Sequence, residues 1–239
     1  MIVERARRGR MEHIAQVYGH SRLGIPLEIR LPAFPAGRPL IVSGIHGDEP
    51  ETIVLVSEAL RMLPASELHS SVILCANPDG AIHGTRANAD GVDLNRNFPA
   101  SNWSPGPVFY RNRKGEPQDI ELGTGSHGAS EPEIQALIAV IDRIKPRVVV
   151  ALHSALACID DPFESELGRR LAQETGLELV GDVGYPTPGS FGSWAAENNL
   201  PLVTLELPPE PLTVMKDSLE STLVRLLRDD FTDTRQGTS

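Results

Sequence analysis

Short runs of β-branched and aliphatic residues alternate along this chain with stretches of helical periodicity, and this alternation limits its fold more than any other feature. Five runs predict strands, at residues 40–45, 72–76, 148–152, 177–183 and 202–207. Apolar residues at helical spacing predict helices at 51–63, 167–175 and 219–227, and a capping box beginning at Ser130 predicts one more. The alternation is typical of an α/β layered domain with a largely parallel or mixed sheet.

Length and charge narrow the class of protein further. The 239 residues carry a formal net charge of -10, and no linker rich in glycine or serine divides them, so we expect one domain over 1–239 with short polar tails. Nucleic acid and anionic membranes are poor partners for an acidic chain, because both require a clustered positive surface. The longest apolar strings are the length of strands, which excludes a transmembrane span.

Cysteine usage and the first residues predict a cytoplasmic location. Cys75 and Cys158 are the only cysteines, whereas a secreted scaffold is expected to carry more. The basic cluster at the start is not followed by the apolar stretch of a secretory signal. Its members are Arg5, Arg7, Arg8 and Arg10.

One long segment lacks the periodicity of the rest. Residues 77–129 are rich in glycine, proline, asparagine and aspartate. A loop of this length inside a compact domain is usually functional or disordered. Because the segment also carries aromatic residues and an Asn-Arg pair, we expect it to contribute to a functional site.

Two histidines and a glutamate indicate a metal site. His46 and Glu49 follow the first strong strand, and His153 follows another. Taken alone, His46 and Glu49 are more typical of a polar turn before a helix, and His153 is more typical of a histidine in the core or at a sheet edge. Together, they lie where the carboxyl ends of strands form a ligand-binding crevice. Zn²⁺ accepts nitrogen and oxygen ligands together, and three protein ligands leave one position open for catalysis.

Two carboxylates complete this hypothesis. Glu206 lies near the end of the strand at 202–207. A solvated strand end is the ordinary interpretation, but beside an open zinc ion Glu206 becomes a candidate base for a water proton and acid for a leaving amine. Asp93 is a candidate acceptor for the second ring N–H of a ligating histidine.

The same segment offers groups that bind anions. Asn95 and Arg96 are adjacent, and Arg86 lies upstream. The planar guanidinium fork suits a carboxylate or a developing oxyanion. A surface salt bridge is the alternative for each arginine.

These motifs, in this order, resemble those of the zinc carboxypeptidase family over about residues 40–207. The matching elements are His46-x-x-Glu49, Asn77-Pro78-Asp79-Gly80, Arg86, Asp93-Leu94-Asn95-Arg96, His153 and Glu206. The resemblance implies a mixed, eight-stranded central sheet flanked by helices. It also allows a homodimer.

The resemblance further implies a role for each matching residue. One zinc ion per chain would be bound by His46, Glu49 and His153, with Glu206 as general base and acid and Arg86 as oxyanion stabiliser. By the same comparison Asn95, Arg96 and the mobile Tyr185 would hold the substrate carboxylate, and Asp93 would be the partner of His46.

Departures from the digestive members of the family indicate a narrower substrate. Gly47 and Asp48 stand where those enzymes carry an arginine between the zinc histidine and glutamate. Together with the stretches 92–99, 158–162 and 188–194, these features are similar to those of a bacterial branch that cuts the γ-D-glutamyl to meso-diaminopimelate bond of murein tripeptide during cytoplasmic cell-wall recycling. Asp160 and Asp161 are candidates to bind the distal ammonium of diaminopimelate, and the alternative is that they cap a helix starting near Glu164.

Two other functions remain open at this point. An acyl-amino-acid amidohydrolase of the aspartoacylase or succinylglutamate desuccinylase type shares the His-x-x-Glu and Asp-Leu-Asn-Arg elements. A zinc-binding module without catalysis is the alternative from another class. The Asn-Pro-Asp-Gly run favours the peptidase over the first, and Glu206 beside an open ligand position argues against the second.

Overall fold

The computed structural model describes residues 11–112 and 118–231, which contain ten strands and six α-helices. The strands are β1 (Ala15–His20), β2 (Pro26–Arg30), β3 (Pro39–Val42), β4 (Ser71–Ile73), β5 (Val108–Asn112), β6 (Gln118–Leu122), β7 (Val148–Ser154), β8 (Cys158–Asp160), β9 (Glu178–Val180) and β10 (Leu202–Leu207). The helices are α1 (Pro50–Arg61), α2 (Pro78–His83), α3 (Pro132–Ile144), α4 (Glu166–Thr175), α5 (Phe191–Glu197) and α6 (Leu212–Arg228).

Eight of the strands form one mixed sheet in the order β1-β2-β4-β3-β7-β10-β8-β9. The four central strands, β4, β3, β7 and β10, are parallel to one another. On either side, β2 joins β4 and β8 joins β10 in antiparallel pairs. This arrangement confirms the mixed, eight-stranded sheet that the family resemblance implies.

Helices cover both faces of this sheet, as the continuous apolar character of its central strands requires. Helices α1, α4 and α6 pack on one face in a buried cluster that includes Val150 and Leu205. Helices α3 and α5 pack on the other face, against Leu40 and Val149. Successive residues of a central strand therefore point to opposite faces, and each face has its own hydrophobic core.

The predicted elements are mostly present, with shifts at their ends. Strand β10 has the bounds that the sequence predicts, whereas α6 begins at Leu212, well before the predicted residue 219. The prediction of a capping box at Ser130 is wrong, because the N-cap residue of α3 is Glu131, which makes no side-chain capping bond. Ser130 Oγ instead donates to the Glu131 carboxylate at 2.7 Å.

The segment 77–129 contains more regular structure than its composition predicts. It holds α2 and a separate two-stranded hairpin of β5 and β6. The predicted tails and the basic cluster formed by Arg5, Arg7, Arg8 and Arg10 lie outside the described residues. Among the residues described, no helix combines the length and the apolar character needed to cross a membrane.

Candidate metal centre and active site

Three neighbouring strands bring the predicted site residues to one edge of the sheet. β3, β7 and β10 are adjacent and parallel, so their carboxyl ends meet at the same edge. His46 lies on the loop after β3, and His153 and Glu206 lie near the ends of β7 and β10. The sequence predicts this convergence correctly.

The three predicted metal ligands face one another at short distances. His46 Nδ1 lies 2.9 Å from Glu49 Oε1 and 3.1 Å from His153 Nδ1, and Glu49 Oε2 lies 3.3 Å from His153 Nδ1. Zinc–ligand bonds of about 2.1 Å in a tetrahedron would separate ligand atoms by about 3.4 Å. All three side chains are buried, and their geometry could hold a metal ion.

The hydrogen bonding of His46 supports a cation between these groups. His46 Nε2 faces Asp93 Oδ1 at 3.2 Å, so the ring proton of neutral His46 resides on Nε2 and a lone pair on Nδ1. That lone pair points at a carboxylate oxygen and at a second imidazole nitrogen. A buried set of three electron-pair donors is stabilised by a small divalent cation, so the residues fit zinc.

Local structure around α1 directs Glu49 toward the histidines. Glu49 is the N-cap residue of α1 but makes no side-chain capping bond, which leaves its carboxylate for the metal site. Thr52 Oγ1 holds the turn by donating to the Glu49 carbonyl at 2.8 Å and accepting from the Gly44 amide at 3.2 Å. Gly47 is required because a Cβ there would lie 2.0 Å from the carbonyl carbon of Gly80.

The Asn-Pro-Asp-Gly run holds two parts of the site together. Asn77 caps α2 by accepting from the Gly80 amide at 2.9 Å. Its Nδ2 lies 3.3 Å from both the Ile45 and the Arg86 carbonyl oxygens. One buried amide thus fixes the loop that carries His46 and the segment that carries Arg86.

Asp93 links the metal ligand His46 to Arg86. One carboxylate oxygen accepts hydrogen bonds from His46 Nε2 and the Asn95 amide. The other accepts a hydrogen bond from Arg86 Nε at 3.1 Å. Burial opposes ionisation of Asp93, but Arg86 and His46 outweigh it and lower the pKa of the carboxyl group. Asp93 therefore stays ionised and fixes the ring orientation of His46, as predicted.

Arg86 is held by two buried carboxylates, Asp93 and Glu49. Besides Asp93, it contacts Glu49 through Nη1, 3.1 Å from Oε1. Burial favours its neutral form, but Asp93, Glu49 and Asp48 dominate and raise the pKa of the guanidinium. Because Nε and Nη1 serve these carboxylates, Nη2 is the nitrogen left to serve a ligand in the cavity.

Glu206 lies beside the metal ligands without joining them. Its register partner on β7 is His153, and residues paired in a parallel sheet project from the same face. Burial raises the pKa of Glu206, and the negative charge of Glu49 adds to this effect while His153 opposes it. A carboxylate with raised proton affinity is suited to accept and return a proton.

Asn95 and Arg96 line the same cavity, which has a volume of about 890 Å³. Asn95 Oδ1 accepts from the Phe191 amide at 2.9 Å, which leaves its Nδ2 as a donor for a ligand. Arg96 Nη1 donates to the Asn95 carbonyl at 2.7 Å. Tyr185 lines the cavity on the connection between β9 and α5 and is 50% exposed.

The two candidate aspartates separate in the structure. Asp160 lies in β8, opposite Thr204 of β10, and both line the cavity. Within the described residues, its buried Oδ1 has no hydrogen-bond partner. Burial raises the pKa of Asp160 to about 6, with further contributions from Glu206 and Asp182.

Asp161 requires a correction. It is 1% exposed, and its Oδ2 accepts from the Ser165 amide at 2.7 Å and the Ser165 hydroxyl at 2.6 Å. Ser165 is the N-cap residue of α4. The predicted substrate contact is therefore wrong for Asp161, which stabilises the start of a helix because it follows Asp160 and points to the opposite side.

Sequence reasoning missed Tyr110, whose ring lies next to Arg86. Tyr110 of β5 places its ring centroid 4.5 Å from the Arg86 Cζ atom, and the charge of nearby Asp48 helps to raise the pKa of its phenol. The only sequence signal was the short apolar run at 108–110. Without a visible partner strand, such a run does not reveal a hairpin.

Comparisons with known proteins agree with this site. The family model described as zinc carboxypeptidase matches residues 39–175. Murein peptide amidase A of Escherichia coli K12 is 53% identical over 208 residues, which are 86% of each chain. The protein of the same name from Vibrio campbellii is 44% identical over 219 residues, 89% of this chain and 87% of that one.

A solved structure is similarly close. The crystal structure of murein-tripeptide amidase from Escherichia coli O157 matches with a TM-score of 0.88 and 48% identity, covering 95% of this chain and 96% of that chain. Carboxypeptidase A from Helicoverpa armigera matches with a TM-score of 0.70 and 18% identity, covering 92% and 68%, and shares the fold.

We predict that chelation lowers the thermal midpoint and that zinc restores it with one ion bound per chain. Removing the cation leaves the buried Glu49, His46 and His153 donors facing one another. A ligand at about a thousand times its Kd contributes about 4 kcal/mol, or about 10 °C for a chain of this size. Differential scanning fluorimetry and elemental analysis measure both quantities.

His153→Ala tests the ligand set directly. The variant should lose most bound zinc and the midpoint rise that zinc causes. His127→Ala is the matched control, because His127 is exposed and, among the residues described, its ring hydrogen bonds only to the carbonyl of neighbouring Gly128. Full zinc occupancy in His153→Ala would contradict the assignment.

Proposed function

The chain belongs to the zinc carboxypeptidase family, and from this premise we propose that it is an amidase that cuts the γ-D-glutamyl to meso-diaminopimelate bond of murein tripeptide. The observation that carries the chemistry is the register of β7 and β10, which places Glu206 beside the ligand histidine His153 in one cavity. The observation that carries the substrate is 53% identity to a murein peptide amidase over 86% of the chain.

Zinc bound by His46, Glu49 and His153 would supply Lewis-acid activation of the scissile carbonyl and of the attacking water. A Glu206 carboxylate oxygen takes the proton from that water. The same carboxyl group then donates it to the nitrogen of diaminopimelate as the amide bond breaks. Arg86 Nη2 stabilises the developing oxyanion.

Three groups orient the leaving half of the substrate. Diaminopimelate carries a carboxylate next to the scissile amide. We assign this carboxylate to the Arg96 guanidinium and Asn95 Nδ2, which lie on one segment of the cavity wall. Tyr185, half-exposed across the cavity, is the candidate to close over it. Charge-assisted bonds of this kind hold the scissile amide near Glu206.

Asp160 is the candidate for the distal ammonium. An ionised carboxylate in a partly buried wall is costly without a cation, and Asp160 lacks a hydrogen-bond partner at Oδ1 among the described residues. The ammonium of diaminopimelate supplies the missing charge. Thr204 lies across the strand pair and offers a hydroxyl to the same region.

We place this activity in the cytoplasm. Both cysteines are free, and burial raises the pKa of each thiol to about 11. Protonated, separated thiols suit a reducing compartment. A small soluble tripeptide produced by cell-wall turnover is the proposed partner there.

The test of this function compares two substrates. Purified protein should hydrolyse murein tripeptide and release diaminopimelate, and a chelator should abolish the reaction. N-succinylglutamate should not be hydrolysed, because it offers no ammonium to Asp160. Amine release followed by chromatography measures both reactions. A kcat/KM for N-succinylglutamate equal to or above that for the tripeptide would instead identify an acyl-amino-acid amidohydrolase.

We expect Glu206→Gln to keep zinc and lose about a hundredfold to ten-thousandfold in kcat, the usual contribution of proton transfer by a placed side chain. The amide is isosteric but cannot accept the proton. Steady-state kinetics with elemental analysis of zinc measure the effect. Near wild-type turnover with zinc bound would refute the role of Glu206.

Asp160→Asn should raise KM for the tripeptide about tenfold or more, since hydrogen bonds to charged groups contribute about 1.5–3 kcal/mol. It should leave KM unchanged for an analogue without the distal ammonium. Asp161→Asn is the matched control, because its carboxylate caps α4: its KM should stay the same while its thermal midpoint falls.

Asp160→Asn should also stabilise the fold above pH 6. The pKa of Asp160 is about 6 in the folded chain against 3.8 ordinarily, so the folded state holds this proton more tightly and loses stability as pH rises between these values. Because Asp160 is only partly buried, Asp160→Asn should raise the free energy of unfolding by about 1 kcal/mol at pH 7.5 and by less at pH 5. Urea unfolding at the two pH values measures it, and a larger gain at pH 5 would contradict it.

A further inference from the structure

Strand β5 of the β5–β6 hairpin lines the active-site cavity, although the hairpin is separate from the main sheet. Its strands pair antiparallel, with Tyr110 opposite Ile120. Tyr110 lines the cavity and is partly buried. The function proposed above assigns no role to this hairpin, so its contacts with the metal centre need a separate explanation.

Tyr110 contacts the centre through its aromatic ring. Its ring lies 4.5 Å from the Arg86 Cζ atom, within the range at which a cation is attracted by an aromatic face. Burial and the negative charge of nearby Asp48 raise the pKa of its phenol. The ring on Arg86 is the contact that bears on the oxyanion stabiliser.

The ring of Tyr110 restrains Arg86 in a direction that its hydrogen bonds do not. Bonds from Nε to Asp93 and from Nη1 to Glu49, each 3.1 Å long, lie in the guanidinium plane. In-plane bonds resist sliding of the guanidinium but only weakly resist tilting out of the plane. An aromatic ring against the face opposes that tilt, and it does so without using Nη2.

Asp48 is a charged neighbour of Tyr110. It stands next to the metal ligand Glu49, at a position where the digestive members of the family carry an arginine. Here the acidic side chain lies close enough to Tyr110 for its charge to raise the pKa of the phenol. The ring that stacks on Arg86 therefore lies between this arginine and the loop that carries two metal ligands.

We propose that Tyr110 is a positioning residue, which holds Arg86 by stacking on its guanidinium so that Nη2 meets the oxyanion of the scissile amide. The proposal rests on the proposed function in one respect, because it takes Arg86 as the oxyanion stabiliser of amide hydrolysis. The effect of Tyr110 on the reaction must then pass through Arg86.

A double-mutant cycle tests this dependence. Tyr110→Ala should lower kcat for the tripeptide about 3-fold to 30-fold, the equivalent of a cation–π contact, with KM changed less than about twofold. Tyr110→Phe should restore most of kcat because it keeps the ring. In an Arg86→Ala background, Tyr110→Ala should have no further effect on kcat. An equal loss in both backgrounds would overturn the proposal.

Binding measurements provide a readout independent of turnover. A phosphinic analogue of the scissile amide carries a tetrahedral anion that needs Arg86, whereas the product diaminopimelate needs Arg96. By calorimetry, Tyr110→Ala should lower the affinity for the analogue by the same factor by which it lowers kcat. It should leave the affinity for diaminopimelate unchanged. Equal weakening of both ligands would show a general disturbance of the cavity and contradict the proposal.

Ile120→Ala is the matched control for hairpin packing. It removes the side chain opposite Tyr110 without removing the ring on Arg86, so kcat should remain within about twofold. A loss of kcat equal to that of Tyr110→Ala would assign the effect to hairpin stability. If the wild type hydrolyses N-succinylglutamate rather than the tripeptide, the proposed function fails, and the same cycle on that substrate still decides the role of Tyr110.

Discussion

The parallel register of β7 and β10 is the constraint on which the site depends. It sets Glu206 opposite His153, and backbone hydrogen bonds on both sides of β10 keep it there. A shift of one residue would turn Glu206 into the hydrophobic core and bring Leu205 or Leu207 to the cavity. The base and a metal ligand are thus placed together by the sheet itself, and no flexible loop has to align them.

Charge within the site is balanced over short distances. The chain is acidic overall, so it provides no long-range attraction for a substrate with several carboxylates. Arg86 and Arg96 supply local positive charge, and Asp93 lowers the energy of burying it. Capture of the substrate therefore depends on contacts inside the cavity, where charges interact with little screening.

The sequence predicts that the candidate metal ligands and Glu206 lie at one edge of the sheet, because each follows or ends a β-branched run and the carboxyl ends of parallel strands meet. It does not predict β8, a strand of only three residues. Without that strand, neighbouring Asp160 and Asp161 cannot be told apart, since the alternation of the pleat decides which one faces the cavity. Tyr110 and Arg86 are far apart in sequence, so their contact depends on tertiary structure alone.

The pleat of β10 also gives adjacent residues different functions. Val203 and Leu205 pack in the hydrophobic core, whereas Leu202 and Thr204 line the cavity with Glu206. Exchanges at the second pair can alter which leaving group is accepted without disturbing folding or proton transfer. One scaffold can therefore diverge in selectivity through single substitutions at every second position of a strand, while its hydrolytic chemistry is inherited unchanged.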